Sequence, residues 1–182
     1  MEPIPFEPGE SAVVVPVPAA EPLVSSWRDR FDSSAPYGIP AHVTVTYPFL
    51  REPVLDEFVL EQLRAECSEV SPFEVTFNRV GRFTTVAYLA PEPDRLFRDL
   101  TARLLTRWPE APPYGGEHED VVPHLTVAEG VPTVLDAAER DLQPQLPLTT
   151  IVEMAELYVF DGRRWRVRER LPFRASPPKA SA

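Results

Sequence analysis

Two short stretches, His42-Val43-Thr44-Val45 and His124-Leu125-Thr126-Val127, decide how this chain reads. Each is a histidine, an apolar residue, a threonine and a valine. Side chains alternate between the faces of an extended strand, so His42 and Thr44 share one face while Val43 and Val45 take the other. His124 and Thr126 stand in the same relation to Leu125 and Val127. Two imidazoles, each with a hydroxyl two residues on and an apolar back, make four polar groups able to converge. With 11 threonines in 182 residues, a given histidine has a threonine two places later by chance about 11/182 of the time. Two of the three histidines do, so incidental His and Thr on half-exposed strands is the weaker reading, even allowing for the strand preference of threonine.

Outward from each stretch the same order of elements recurs, with boundaries marked by the 23 prolines. A short β-branched strand is expected over 11–17 and a helix over 22–31, where Leu23, Trp27 and Phe31 repeat at helical spacing. The first histidine strand follows over 42–47, then an amphipathic helix over 55–68 and a strand pair over 73–82 and 84–89. The second half gives a helix over 93–108, the second histidine strand over 124–128, a helix over 133–142, and strands over 149–160 and 164–171 about Asp161-Gly162. This predicts an α+β fold made by internal duplication, with pseudo-repeats 22–90 and 93–171, antiparallel sheets and a central cleft between two lobes. One domain spans 11–173, between a flexible N-terminus (1–10) and a disordered tail (174–182).

Composition narrows the chemistry. The 18 Lys+Arg against 28 Asp+Glu give a net charge of −10, which argues against a long nucleic acid as partner. Lys179 is the only lysine and falls in the tail, so Schiff-base, lysyl-nucleotide and P-loop chemistry are excluded. None of the seven glycines forms a G-x-G-x-x-G arrangement. The single Cys67 has no disulfide partner, reads as a buried structural thiol and suits a reducing compartment. No signal peptide and no membrane-spanning run is recognised, so a cytoplasmic monomer with no membrane partner is expected.

The paired H-x-T-x motifs resemble the two-histidine (2H) phosphoesterase superfamily and, within it, the 2′-5′ RNA ligase-like and cyclic phosphodiesterase group. The resemblance includes Gly38-Ile39-Pro40-Ala41, Val80-Gly81-Arg82-Phe83, Pro113-Tyr114-Gly115-Gly116 and Val122-Pro123, and spans most of the chain. It implies a bilobal fold with the two histidine strands facing one another. It also implies phosphodiester chemistry without metal or cofactor, on 2′,3′-cyclic phosphates or 2′-5′ linkages of small nucleotides or RNA ends. His42 and His124 would be the acid–base pair and Thr44 and Thr126 donors to the phosphoryl oxygens. With no usable lysine, any ligation would be the ATP-independent reversal of cyclic-phosphate opening. The ligase-like group often has an arginine shortly after the second motif; this chain has Glu129 there.

Further candidates lie nearby. Tyr47 and Tyr114 could stack on a base, and Arg82 and Arg166 could bind phosphate. Arg164, Arg166, Arg168 and Arg170 alternate along one predicted strand, as either a solvated outer face or a positive stripe. His118, Glu119, Asp120 and His124 carry metal-ligand atoms but lack helical ligand spacing, so an acidic loop, able to act as a lid, is the simpler reading. The alternative to an enzyme is a nucleotide- or RNA-end-binding module without turnover.

Overall fold

The computed structural model describes residues 5–116 and 121–174. Alternating apolar positions produce the strands β1 (Ser11–Pro16), β2 (His42–Thr46), β3 (Phe73–Arg82), β4 (Val86–Glu92), β5 (Leu125–Glu129), β6 (Leu148–Val152), β7 (Met154–Phe160) and β8 (Trp165–Pro172). Helical apolar spacing produces α1 (Glu21–Phe31), α2 (Glu57–Ser68), α3 (Arg95–Arg107) and α4 (Pro132–Leu142). Local chemistry fixes the helix starts. The Asp56 carboxylate accepts the Val59 amide proton at 2.9 Å to cap α2, while α1 and α4 carry proline in the first turn, where no amide partner is needed.

The strands form two antiparallel sheets, ordered β2-β1-β7-β8 and β5-β4-β3-β6. Matched position by position, β2 answers to β5, β1 to β4 and β7 to β3. By this matching the equivalent units are β1-α1-β2-α2-β3 and β4-α3-β5-α4-β7, with β6 inserted before β7 in the second. Each unit gives its last strand to the other unit's sheet. Helices α2 and α3 pack on the first sheet, and α1 and α4 on the second. The apolar backs of both histidine strands close on this helix-covered core: Val43, Leu125 and Val127 are fully buried, among Leu63, Phe77, Leu89 and Leu157. Each such side chain contributes about 1.5–3 kcal/mol by burial, so the motif strands are held from behind by the core itself.

Three features depart from the sequence pattern. The stretch read as one strand over 149–160 is two, β6 and β7, which part at Glu153 and join different sheets. Residues 5–10, expected to be flexible, lie against the first sheet: the Gly9 amide donates to the Phe160 carbonyl, and Phe6 packs among Tyr37, Tyr47, Phe160 and Trp165. Both motif strands carry a β-bulge at the motif valine. Val13 stands opposite Thr46 and Val14 opposite Thr44, leaving Val45 unpaired; Ala87 stands opposite Ala128 and Tyr88 opposite Thr126, leaving Val127 unpaired. A bulge inserts one residue and so reverses which face later side chains take. Among the described residues no helix is long and apolar enough to cross a membrane.

Candidate active site

The two histidines are presented alike. His42 is the first residue of β2 and His124 immediately precedes β5. The His42 Nδ1–H donates to the Pro40 carbonyl at 2.7 Å, and the His124 Nδ1–H donates to the Val122 carbonyl at 2.8 Å. A carbonyl can only accept, so both rings carry their proton on Nδ1 when neutral, and Nε2 is left as the acceptor. Both imidazoles are held below their ordinary proton affinity. Burial is the main cause for each. For His42 the Arg28 guanidinium and, more weakly, the His124 ring add to it, against the raising influence of the Pro40 carbonyl and Asp32, and the value falls to about 4. His124 is lowered by burial and partly restored by the Val122 carbonyl.

His42, Thr44, His124 and Thr126 line one cavity of about 280 Å³, together with Val14, Ser33, Tyr47, Tyr114, Glu129 and Trp165. The Thr44 side chain is hydrogen-bonded to the Tyr114 side chain. Tyr114 sits in a left-handed conformation, φ 52°, rarely adopted outside glycine, and its amide donates to the Tyr47 carbonyl at 2.6 Å. Strain of this kind persists where surrounding contacts over-determine it, and here it turns the Tyr114 ring onto the cleft. Tyr47 lines the same cavity, its ring edge-on to Phe6 and Trp165. Its hydroxyl donates to Glu10 at 2.9 Å, and burial together with that carboxylate raises its proton affinity.

A second chamber of about 430 Å³ adjoins the first, sharing Tyr114 and His124 and adding Phe83, Thr84, Thr85, Val121 and Val122. Its wall is aromatic: Phe83 stacks on Tyr88 with centroids 4.4 Å apart, and both meet the His124 ring nearly edge-on, at 5.0 and 5.5 Å. Gly81 permits this arrangement, because a Cβ at Gly81 would lie 2.4 Å from the Tyr88 ring. Phe83 and Trp165 line the two chambers and Tyr88 braces His124 beside them, and the sequence reading named none of the three as site residues. The Phe83-to-Gly81 spacing beside a strand pair was the available signal, but only tertiary packing shows that it faces His124.

Behind His42 lies a buried ion pair. Arg28 and Asp32, 2% and 4% exposed, meet at 2.8 Å, and Arg28 also donates to the Ile39 carbonyl at 3.1 Å. Glu21 accepts the Ala41 amide proton at 2.5 Å, so both ends of the Ile39–Ala41 approach are held by α1. Asp32 in turn accepts the Ser34 amide and hydroxyl protons, fixing the loop that forms the cavity rim.

Arg82 and Arg166 lie outside the cavity. Arg82 pairs with Asp136 and Glu139 on α4, at 2.6 and 2.5 Å. Arg166 pairs with Asp161 at 3.0 Å and stands opposite Val159, whose side chain belongs to the helix-covered core. The arginine stripe does not form, because β8 bulges at Arg168: Trp165 and Val167 take the cleft face, Arg166 the other, and Arg170 returns to the cleft face, bound to Glu156 at 3.3 Å. His118, Glu119 and Asp120 fall outside the described residues. Among the described residues, no group of three His, Cys, Asp or Glu side chains could hold a metal ion. A larger groove, about 880 Å³, runs along α2 and α3 and has no histidine in its walls.

Comparison with known proteins agrees with this architecture. A protein of Geobacillus kaustophilus (strain HTA426), provisionally named a phosphoesterase, is 26% identical over 167 residues, covering 86% of this chain and 91% of that protein. A similarly named protein of Bacillus pumilus (strain SAFR-032) is 27% identical over 167 residues, covering 86% of this chain and 92% of that one. E. coli LigT, solved in complex with 3′-AMP, shares the fold with a TM-score of 0.58 at 18% identity, covering 92% of this chain and 99% of LigT. TT0787 of Thermus thermophilus gives 0.61 at 17% identity, covering 92% of this chain and all of that one. The model of the 2′-5′ RNA ligase superfamily matches residues 15–164, and the chain belongs to that superfamily.

Proposed function

We propose that this chain is a metal-independent phosphoesterase that opens 2′,3′-cyclic phosphates or cleaves 2′-5′ phosphodiesters of small nucleotides, with His42 and His124 as its acid–base pair. The observation that carries the reading is the pairing of two Nδ1-protonated imidazoles with two threonine hydroxyls in one small cavity. Displacement at phosphorus needs a base for the attacking water, an acid for the leaving oxygen and donors for the non-bridging oxygens. Two Nε2 atoms from opposite lobes supply the first two functions, and Thr44 and Thr126 supply the third without adding charge.

In the hydrolytic direction water attacks phosphorus as one Nε2 takes its proton. The bond to the leaving ribose oxygen breaks as the other imidazolium gives that oxygen a proton. A phosphomonoester remains, and a proton relayed through solvent resets the pair. Arg28 stands behind His42 and has no counterpart among the influences on His124, so His42 is the ring more firmly kept neutral and takes the role of base. His124 carries the proton to the leaving oxygen. LigT, which shares the fold, has been solved with 3′-AMP, ATP, NADP+ and phosphate, all of them phosphate-bearing.

The test is a panel of nucleoside 2′,3′-cyclic phosphates and 2′-5′ and 3′-5′ dinucleotides incubated with the protein in EDTA, with products identified. Turnover of the first two classes, to 2′- or 3′-monophosphates and free 5′-hydroxyl nucleosides, is expected. Turnover that appears only when a divalent metal is added contradicts the reading.

A further inference from the structure

The cavity is symmetric in its histidines and threonines and asymmetric one step beyond them. The bulges at Val45 and Val127 reverse the alternation of both motif strands, so Tyr47 and Glu129, each five residues after its histidine, turn back into the cleft. Without its bulge, β5 would send Ala128 to the cleft and Glu129 into the core. Ala128 instead is fully buried against the core, and Glu129 stands beside Val86 on the cavity wall. Bulges beside active sites serve to re-aim a side chain, and this one aims a carboxylate.

Among the described residues, no cationic side chain pairs with Glu129. Neither chamber is lined by arginine or lysine among the described residues. The other carboxylate in the wall, Asp32, is neutralised by buried Arg28. Among the described residues, Glu129 Oε2 accepts only the Ser33 amide proton, at 3.1 Å, from the loop after α1, and Oε1 has no partner. Its pseudo-symmetric counterpart is a neutral phenol tied to Glu10.

We propose that Glu129 selects substrate by charge, restricting the site to phosphodiesters whose neighbouring groups are neutral and hydroxyl-bearing. The class is nucleoside 2′,3′-cyclic phosphates and 2′-5′ dinucleoside monophosphates without a second phosphate near the scissile one. Oε1 takes a hydrogen bond from a substrate hydroxyl, while a further phosphate meets an unscreened carboxylate in a partly dry cleft. The same repulsion favours departure of a doubly charged monoester product. This inference rests on the phosphoesterase reading above and adds the discrimination to it.

The experiment compares adenosine 2′,3′-cyclic phosphate with its 5′-phosphorylated counterpart, which keeps the scissile bond and adds one phosphate. The ratio of kcat/KM values is measured in EDTA for wild type, Glu129→Gln and Glu129→Arg. Glutamine keeps the acceptor for the Ser33 amide, so the rim is preserved. Wild type favours the unphosphorylated substrate by about tenfold, the size of one uncompensated charge interaction at a partly solvated site. Glu129→Gln brings the ratio toward one, and Glu129→Arg inverts it. Ratios equal within about twofold in all three proteins, with turnover intact, overturn the charge selection and leave the phosphoesterase reading standing. Absence of turnover of both substrates by wild type overturns both.

Discussion

The Arg28 guanidinium and the Asp32 carboxylate meet at 2.8 Å in a nearly closed interior, one turn apart at the end of the helix that leads to His42. Through Ile39 and Ser34 the pair holds both the approach to the first histidine and the rim of the cleft. Removing one member of a buried pair leaves the other charged and unsolvated. Asp32→Ala is expected to cost about 3–5 kcal/mol of stability in urea titration. A loss under about 1 kcal/mol would show that the pair is hydrated in solution.

The lowered proton affinities set the pH response. An acid works below its pKa and a base above its own, and burial holds both histidines below the ordinary 6.5, His42 at about 4. The bell of kcat/KM against pH is therefore centred below 6.5. A bound phosphate anion favours the imidazolium, so the kcat bell moves to higher pH. For stability the sign follows from proton uptake: between pH 6.5 and 4 the unfolded chain binds a proton at position 42 that the folded chain refuses. The contribution of His42 is present above pH 6.5 and is lost as pH falls through that window, by at most about 1.4 kcal/mol per pH unit. Denaturation midpoints of wild type and His42→Asn over about pH 4–7.5 measure it, with the variant showing the shallower slope.

Gly81 leaves room for the ring that braces His124. With a Cβ at Gly81 only 2.4 Å from the Tyr88 ring, Gly81→Ala must displace Tyr88 and Phe83 with it. Overpacking of this kind costs about 1–3 kcal/mol, and a fall in kcat/KM is expected with it. Adding Tyr88→Leu should recover part of the stability, so a double-mutant cycle with no coupling would contradict the contact.

The threonines should separate binding from positioning. Thr44→Val and Thr126→Val each remove a donor from the phosphoryl oxygens and are expected to lower kcat by about 10²–10³ with little change in fold. Tyr114→Phe leaves Thr44 in place and should cost far less than Thr44→Val. Equal losses would make the Tyr114 hydroxyl the donor.

Much of this was legible in the sequence, because strand alternation, helical spacing and proline punctuation are local signals. His42, Thr44, His124 and Thr126 reach one cavity because their strands expose one face and bury the other, which the motif itself states. The two-sheet, two-lobe α+β arrangement follows from the repeated order of elements. What stayed hidden depends on pairing between distant segments. Nothing local marks Glu153, where a continuous β-rich stretch divides between two sheets. The bulges at Val45, Val127 and Arg168 come from ladder register, so the facing of Tyr47, Glu129 and the β8 arginines could not be read by counting in twos. Arg82 carried a plausible charge, but its partners, Asp136 and Glu139, lie more than fifty residues away and hold it outside the cleft.

The proposed division of labour, one proton transfer for each imidazole, governs the pH response of turnover. It is tested most directly by the pH dependence of kcat for adenosine 2′,3′-cyclic phosphate in EDTA, measured for wild type, His42→Ala and His124→Ala. Wild type should give a bell, and either variant should lose at least about 10²-fold. His42→Ala should lose the acidic limb and His124→Ala the basic limb. Wild-type rates in either variant, or a bell that survives removal of either ring, would contradict it.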